Sequence, residues 1–170
     1  EILRCLVGSE MCIRDRMGGE LVIHILTAGE TVCRSAKELI LQPQSEVSKV
    51  REYVRNTGYK IVDEDMILED GKYYPMFRCV PCADNSAWDN MDETTVTVCD
   101  LYGPVLIKNG NPVLRKFLVR EHHKLAAIMQ QLRTQDMSDS IMDRIEQINE
   151  MMAYNEAAYS TMGAIRNAGI

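Results

Sequence analysis

The most regular hydrophobic pattern of this chain lies in its C-terminal third, where two runs of mainly apolar residues have helical spacing. The first run consists of Leu114, Leu118, Leu125, Met129 and Leu132, with His122 in the same row. The second run consists of Ile141, Ile145, Ile148, Met152, Asn155, Tyr159 and Met162. This spacing is typical of amphipathic helices, and the second run, which alternates steps of four and three, is close to a heptad. A polar turn around residues 136–139 separates the two. The pattern predicts an antiparallel, coiled-coil-like α-helical hairpin over residues 112–163.

Upstream of residue 104 the apolar runs are shorter and of two kinds. Helical spacing covers residues 20–28 and resumes after Ser45, which we expect to cap the second helix. The run 39–41 is wholly apolar, as in a strand buried on both faces, and 60–68 also has the character of a strand. Asp70-Gly71 then signals a tight hairpin turn, after which residues 72–80 can return as an antiparallel partner. This order of elements predicts an α/β fold. The polar stretch 83–94 predicts a surface loop.

The first sixteen residues differ in character from the rest. Arg14, Asp15 and Arg16 place three charges where an apolar strand should lead into the first glycines, and a buried strand cannot hold them without partners. No uncharged stretch is long enough for a signal peptide. The segment resembles translated library-adapter sequence. We therefore set residues 1–16 aside as a non-native segment, and we expect residues 17–104 to form one domain and residues 112–163 to form a second.

Composition and charge narrow the class of protein. The chain has 170 residues and a formal net charge of −6, and no apolar run is long enough to cross a bilayer. These features predict a soluble, cytoplasmic protein without a membrane partner. They also argue against a general nucleic-acid binder, because phosphate contacts need clustered Lys and Arg.

The charge is unevenly divided between the two predicted C-terminal helices. Residues 112–135 carry five cations against one carboxylate, whereas residues 136–163 carry six carboxylates against one cation. The cations of the first helix are Arg115, Lys116, Arg120, Lys124 and Arg133. Two hypotheses stay open: the two helices neutralise each other along their flanks, or the basic helix contacts phosphates.

Two cysteines, Cys79 and Cys82, have the spacing of a zinc knuckle or a redox pair. A structural zinc site needs four ligands, but no second pair of this spacing follows and the three histidines are not at ligand spacing. A redox pair normally begins a helix, whereas this one ends a strand-like run. We expect reduced thiols and no metal.

Four short segments carry a resemblance to a known family. They are Met17-Gly18-Gly19, Leu39 to Gln44, Glu69 to Tyr73, and Tyr102-Gly103-Pro104. In this order and spacing they resemble the bacterial tRNA adenine-N1 methyltransferases that modify adenine 22, which are Rossmann-like enzymes. The resemblance implies the C-terminal half of a Rossmann-like methyltransferase sheet followed by the helical hairpin, with S-adenosylmethionine as cofactor and tRNA as partner.

The resemblance also implies that much of the cofactor site has no counterpart in this chain. The family's glycine-containing cofactor loop and the acidic residue after its second strand do not occur here. We therefore interpret the chain as a fragment, and we expect it alone to show no methyl transfer and no measurable S-adenosylmethionine binding. On the same interpretation, a sheet edge beside residues 39–41 should be uncovered.

The first glycine segment is the expected floor of the methyl-transfer site. Glycine at a strand end lets the backbone approach a ligand closely. The resemblance thus makes Met17, Gly18 and Gly19 catalytic by alignment, with Met17 and Gly18 also touching the cofactor. A plain turn from strand to helix is a compatible reading of the same residues. Adenine N1 already carries a lone pair, so no catalytic acid or base is assigned.

The second segment supplies candidate substrate contacts. Gln42, Pro43 and Gln44 follow an apolar strand, at the end where ligands bind in open α/β sheets. A glutamine amide both donates and accepts hydrogen bonds, which suits the Watson–Crick edge of a flipped adenine. A role in bonding the N-terminus of the next helix is equally open. The basic helix adds expected tRNA contacts at Arg115, Lys116, Arg120 and Lys124.

The expected reaction is transfer of a methyl group from S-adenosylmethionine to N1 of adenine 22 in a tRNA. Two alternatives remain: a methyltransferase of the same fold that acts on a small molecule, and a non-enzymatic interaction module whose working part is the helical hairpin. The long apolar seam supports the module, and the strand-end Gln-Pro-Gln opposes it.

Overall fold

The computed structural model describes residues 10–13, 17–82, 86–136 and 138–167. Its strands are β1 (Glu10–Ile13), β2 (Glu38–Leu41), β3 (Tyr59–Glu69) and β4 (Lys72–Pro81). Its helices are α1 (Gly19–Ala28), α2 (Glu30–Ser35), α3 (Val47–Asn56), α4 (Ser86–Asp89), α5 (Glu93–Tyr102), α6 (Pro104–Lys108), α7 (Pro112–Leu132) and α8 (Asp139–Asn167).

The described strands form one mixed sheet in the order β1-β2-β4-β3. β1 and β2 are parallel, whereas β4 is antiparallel to both of its neighbours, β2 and β3. Asp70 and Gly71 join β3 to β4 with φ of 48° and 73°, the left-handed values that a tight two-residue hairpin turn needs. The predicted α/β class and the predicted hairpin are confirmed.

The edge of β2 is occupied by β1. Residues 10–13 of the segment that the sequence sets aside pair with residues 38–41 in parallel register. The expectation of an uncovered edge beside β2 is therefore wrong. Strand pairing uses backbone N–H and C=O groups, which every non-proline residue supplies, so this pairing does not depend on the side chains of the segment. That residues 1–16 are non-native stays a prediction, and residues 1–9 and 14–16 lie outside the described part of the chain.

The first core lies between one face of the sheet and α1 to α3. Alternate residues of β2 and β4 point to this face, as the period of a strand requires. The fully buried members of this core are Val22, Cys33, Leu39, Leu41, Val50, Val54 and Cys79. α1 and α3 thereby pack against the parallel pair of strands, so that both helices begin beside the carboxyl end of β2.

The second core lies among α5 to α8 and the far end of β3. Leu114 and Leu118 of α7 cluster there with Ala158 and Met162 of α8. Further along α7, the cluster of Leu125, Met129 and Leu132 includes Ile148 of α8 instead. None of the described helices combines the length and the apolarity needed to cross a membrane.

Three local predictions are wrong. The predicted loop 83–94 contains α4 and the start of α5, because Asp92 caps α5 by accepting a hydrogen bond from the Thr95 N–H at 2.9 Å. Ser45 does not cap α3, since Glu46 occupies the N-cap position with a φ of 51°. Tyr159, predicted in the seam of α8, is 40% exposed, whereas Ala158 is buried because α8 packs against α5 and α6 as well as α7.

Candidate functional site

Two of the four sequence segments meet at the carboxyl end of the parallel strand pair. The backbone N–H of Gln44 donates to the carbonyl oxygen of Met17 at 2.9 Å, and the N–H of Gly19 donates to the carbonyl oxygen of Ser45 at 3.0 Å. Gly18 and Ser45 also form an isolated parallel bridge. The segment before α1 and the segment before α3 therefore form one continuous backbone surface, the strand-end floor. In open α/β sheets this is the end at which ligands bind.

The two glycines of the strand-end floor differ in how closely they are packed. A Cβ on Gly19 would lie 2.8 Å from the carbonyl oxygen of Glu46 and 2.9 Å from that of Ser45. A Cβ on Gly18 would lie 3.1 Å from the side-chain Oγ of Ser45. Gly19 is thus required for the approach of two backbones, whereas Gly18 faces a side chain that can rotate.

The three predicted substrate residues, Gln42, Pro43 and Gln44, lie beside this floor. Gln42 is half-buried, Pro43 is buried and Gln44 is exposed. No side chain accepts a hydrogen bond at the N-cap of α3, so neither glutamine fills the alternative role of capping that helix. Both amides keep their hydrogen-bonding groups for another use, because no bond from either is made to the described residues.

A small charge cluster borders the strand-end floor. Lys49 Nζ lies 2.5 Å from a carboxylate oxygen of Glu46 and 3.8 Å from one of Glu20, and so it links the first turns of α3 and α1. The hydrogen bond from Lys49 lowers the pKa of the Glu46 carboxyl. Lys49 is exposed and Glu46 is partly exposed, so solvent screens the pair and the cluster sets local charge more than stability.

The fourth sequence segment, Tyr102-Gly103-Pro104, has a structural role that the sequence did not reveal. Gly103 has a φ of 93°, and a Cβ there would lie 2.7 Å from both carboxylate oxygens of Glu64. Glu64 is paired with Arg51, and both side chains are buried. A glycine followed by proline at the end of a helix signals a turn. The charged residues that pack against this turn carry no local signal, because they come from α3 and β3.

The four predicted tRNA cations lie on α7, and they differ in their contacts. Arg120 donates to the carbonyl oxygen of Gly71 at 2.6 Å and covers the ring of Tyr73, so it holds the β3–β4 turn. Arg115 lies 5.0 Å from the ring centroid of Tyr159. All four line an open groove of about 710 Å³.

The hypothesis of flank-to-flank neutralisation between α7 and α8 has no support in the described residues. The ion pairs found there join other elements, and none joins a cation of α7 to a carboxylate of α8. Lys116 and Lys124 have no carboxylate within ion-pair distance among those residues. The basic surface of α7 is thus left to face solvent.

The cysteine pair gives no sign of a metal or redox site. Cys79 is fully buried in the first core, and burial raises the pKa of its thiol to about 12. Reactive thiols need a lowered pKa, so this environment is the opposite of a redox site. Within the described ranges of the chain, no group of three or more His, Cys, Asp or Glu is arranged to hold a metal ion.

Comparison with known proteins identifies the family of this fold and site. A family model described as tRNA (adenine(22)-N(1))-methyltransferase matches residues 11–156. A curated protein of the same description from Bacillus subtilis (strain 168) is 29% identical over 143 residues, which are 80% of this chain and 59% of the relative.

Solved structures that match this chain include proteins described as m1A22 tRNA methyltransferases. The Bacillus subtilis m1A22 tRNA methyltransferase TrmK matches with a TM-score of 0.71 and 26% identity, over 88% of this chain and 62% of that chain. A candidate tRNA (m1A22) methyltransferase of Streptococcus pneumoniae, solved in complex with S-adenosyl-L-methionine, matches with a TM-score of 0.61 and 26% identity, over 85% of this chain and 60% of that chain. A Streptococcus agalactiae protein of the NADB-Rossmann superfamily, 19% identical with a TM-score of 0.69 over 88% of this chain and 58% of that chain, shows the fold alone.

The chain spans about three fifths of the length of the relatives that it matches. The family model, however, covers most of the chain itself. This chain belongs to the tRNA (adenine(22)-N(1))-methyltransferase family.

Proposed function

We propose that this chain takes part in the transfer of a methyl group from S-adenosylmethionine to N1 of adenine 22 in a tRNA. One observation carries the proposal: the segments Met17–Gly19 and Gln42–Gln44, separated by more than twenty residues, are joined by backbone hydrogen bonds at one strand end. Family membership supplies the reaction. We also propose that the protein is soluble and acts in the cytoplasm, where it meets its tRNA substrate.

The strand-end floor supports an alignment mechanism. Adenine N1 attacks the sulfonium methyl group with its own lone pair, so the protein has to bring N1, carbon and sulfur into line rather than remove a proton. We assign Met17, Gly18 and Gly19 to this alignment, with Met17 and Gly18 against the cofactor. The close backbone packing of Gly19 keeps the floor rigid, which is what alignment requires.

The strand-end glutamines suit recognition of the adenine. An amide oxygen can accept from the exocyclic amine of adenine, and an amide N–H can donate to N3 or N7, which leaves the N1 lone pair free for the methyl group. We assign this role to Gln42 and Gln44, with the buried Pro43 fixing the backbone between them. Within the described residues, neither glutamine caps the N-terminus of α3, and this supports the assignment.

The basic groove of α7 suits the rest of the tRNA. Arg115, Lys116, Arg120 and Lys124 line it without a carboxylate of α8 to neutralise them. We propose that α7 and α8 form a coiled-coil-like antiparallel hairpin over residues 112–163, that this hairpin is a domain separate from residues 17–104, and that its basic face holds tRNA phosphates. A groove lined by four cations suits a polyanion such as tRNA better than a small molecule.

The test is methyl transfer to an unmodified tRNA transcript by the complete gene product, with methyl-labelled S-adenosylmethionine. We expect label in the tRNA and a primer-extension stop at adenine 22, because N1 methylation blocks Watson–Crick pairing. A transcript with guanine in place of adenine 22 is the matched control and should take up no label. Labelling of small metabolites, with the tRNA left unlabelled, would favour the small-molecule alternative and sink the proposal.

A further inference from the structure

Resting on the proposed tRNA substrate, we propose that Tyr159 is a stacking platform for an unpaired base of that RNA. The partner is thus an RNA with a base outside a helix, held where α7 and α8 meet. The four cations would contact phosphates, and Tyr159 would add a contact that depends on the conformation of the RNA.

The first observation is that Tyr159 separates two adjoining cavities. It lines the basic groove of about 710 Å³ and also a second cavity of about 410 Å³. A large aromatic side chain that is 40% exposed between two cavities presents ring surface for a flat ligand. The sequence pattern assigned this ring to the helical seam, yet Ala158 takes the buried position.

The second observation is that the phenol of Tyr159 is not used by the fold. The hydroxyl of Tyr102 donates to Glu121 at 2.7 Å, and that of Tyr154 donates to Glu150 at 2.7 Å. The hydroxyl of Tyr159 makes no hydrogen bond to any described residue. Among the described residues, the guanidinium of Arg115 lies over the ring, 5.0 Å from its centroid.

The third observation is the distribution of charge around the ring. The groove on the α7 side holds Lys116 and Lys124, whereas the second cavity holds Glu156, and His123 lines both. Glu156 repels a phosphate from the second cavity, and the lysines attract one to the groove. A nucleotide is therefore oriented with its phosphate towards α7 and its base against Tyr159, an arrangement that single-stranded RNA readers share.

Salt dependence separates stacking from phosphate contact. Binding of unmodified tRNA to this chain is measured over a range of salt concentrations for the wild type, Tyr159→Ala, Tyr159→Phe and the double variant Lys116→Gln/Lys124→Gln. We expect Tyr159→Ala to weaken binding about tenfold at every salt concentration, with the salt slope unchanged, because stacking releases no counterions. Tyr159→Phe keeps the ring and should bind like the wild type. The lysine variant should instead reduce the slope by between about one and two.

Three further measurements make the result specific. Met151→Ala changes another exposed side chain of α8, 38% exposed, that lines neither cavity, and it should leave binding unchanged. In Tyr159→Trp the added tryptophan fluorescence should be quenched when tRNA binds, relative to the signal of Trp88 alone in the wild type. A fully paired RNA duplex should bind equally to wild type and Tyr159→Ala.

The outcomes that overturn the proposal are distinct. If wild type binds tRNA and Tyr159→Ala binds as well, the stacking role is wrong while the proposed function stands. If Tyr159→Ala weakens duplex RNA as much as tRNA, or lowers the salt slope, the residue acts through the groove rather than through an unpaired base. If the wild type and the complete gene product both fail to bind tRNA, the proposed function fails with it.

Discussion

Arg51 and Glu64 form an ion pair whose side chains are 2% and 0% exposed, with Arg51 Nε 2.9 Å from Glu64 Oε1. Arg51 also donates to the last carbonyls of α5, those of Asp100 and Leu101, at 3.0 and 3.1 Å. Glu64 Oε2 accepts the N–H of Val105 at the start of α6 at 2.8 Å. A cation thus lies at a helix C-terminus and an anion at a helix N-terminus, each favoured by the helix dipole.

This pair joins the sheet to the C-terminal helices. Arg51 comes from α3, which begins at the strand-end floor, and the turn at Gly103 leads through α6 to the basic groove of α7. Burial raises the pKa of Glu64, and the Arg51 guanidinium with the helix N–H groups opposes that rise. One nitrogen of Arg51, Nη2, has no hydrogen-bond partner within the described residues, so this buried guanidinium is already one hydrogen bond short and depends on the bonds that remain.

We predict that Glu64→Gln lowers the free energy of unfolding by about 3–5 kcal/mol, because it leaves the Arg51 charge buried without its counter-ion. The matched control is Glu38→Gln, which breaks the pair that Glu38 forms with Arg78 at 2.8 Å, where the side chains are 21% and 42% exposed. This partly exposed pair should contribute no more than about 1 kcal/mol. Urea unfolding curves of the two variants decide, and equal losses would contradict the assignment of the buried pair.

Gly103→Ala should destabilise the chain far more than Gly110→Ala. Both glycines have positive φ, 93° and 61°, so both substitutions incur about 1–2 kcal/mol of backbone strain. At Gly110 a Cβ meets nothing within 4 Å, whereas at Gly103 it meets Glu64 at 2.7 Å. We expect a total of about 3 kcal/mol or more for Gly103→Ala. Thermal melts of both variants measure the difference, and indistinguishable melting temperatures would show that the turn relaxes.

The strand-end floor makes a similar paired prediction for activity. Gly19→Ala pushes its Cβ against the backbone of Ser45 and Glu46, and it should abolish methyl transfer by the complete gene product. Gly18→Ala meets only the rotatable Oγ of Ser45 and should keep most of its stability. Stability is followed by thermal melts alongside the methyl-transfer assay. A fully active Gly19→Ala variant would remove the strand-end floor from the mechanism.

Replacement of Arg115, Lys116, Arg120 and Lys124 by glutamine should weaken tRNA binding and flatten its salt dependence, with cofactor affinity unchanged in the complete gene product. Arg120→Gln alone should act partly through stability, because Arg120 also donates to Gly71. Titration of tRNA at several salt concentrations measures the effect. Unchanged tRNA binding would mean that the basic surface of α7 has another role.

The free energy of unfolding should fall as the pH rises above about 9. Burial raises the pKa of Cys79 to about 12 and that of Cys99 to about 11, and it also raises the pKa of Tyr102. These groups ionise near their ordinary values in the unfolded chain, so between pH 9 and 11 the folded chain binds more protons than the unfolded one. The stability that they contribute is therefore complete below pH 9 and is lost as the pH rises.

Urea unfolding at pH 8, 9, 10 and 10.5 measures this loss. Cys79, which is fully buried, should account for up to about 1.4 kcal/mol per pH unit. Cys79→Ala is the control, since it removes this group and should reduce the pH dependence by the share of Cys79, leaving that of Cys99 and Tyr102. Stability that is constant from pH 8 to 10.5 in the wild type would show that these groups ionise equally in both states.

Local patterns predicted those elements whose signal lies within a few residues. The apolar run 39–41 became β2, and Asp70-Gly71 became the turn of the hairpin, because a left-handed pair of residues has few other uses. The helical periods of α7 and α8 were equally visible. α5 was missed although Asp92 is a good N-cap, because its run of β-branched residues from Thr94 to Val98 has low helix propensity.

Of the proposed site, the sequence alone named the segments. Gln-Pro-Gln could be named because polar residues follow the apolar run of β2, whereas the glycines before α1 were named through the family resemblance, since charged residues precede them. Only the tertiary structure decided why each is needed. Gly19 packs against a backbone that comes from beyond β2, Gly103 packs against the Arg51–Glu64 pair, and Tyr159 leaves the seam because α5 and α6 cover its neighbour Ala158. These contacts join residues far apart in the chain, and no local period or propensity encodes them.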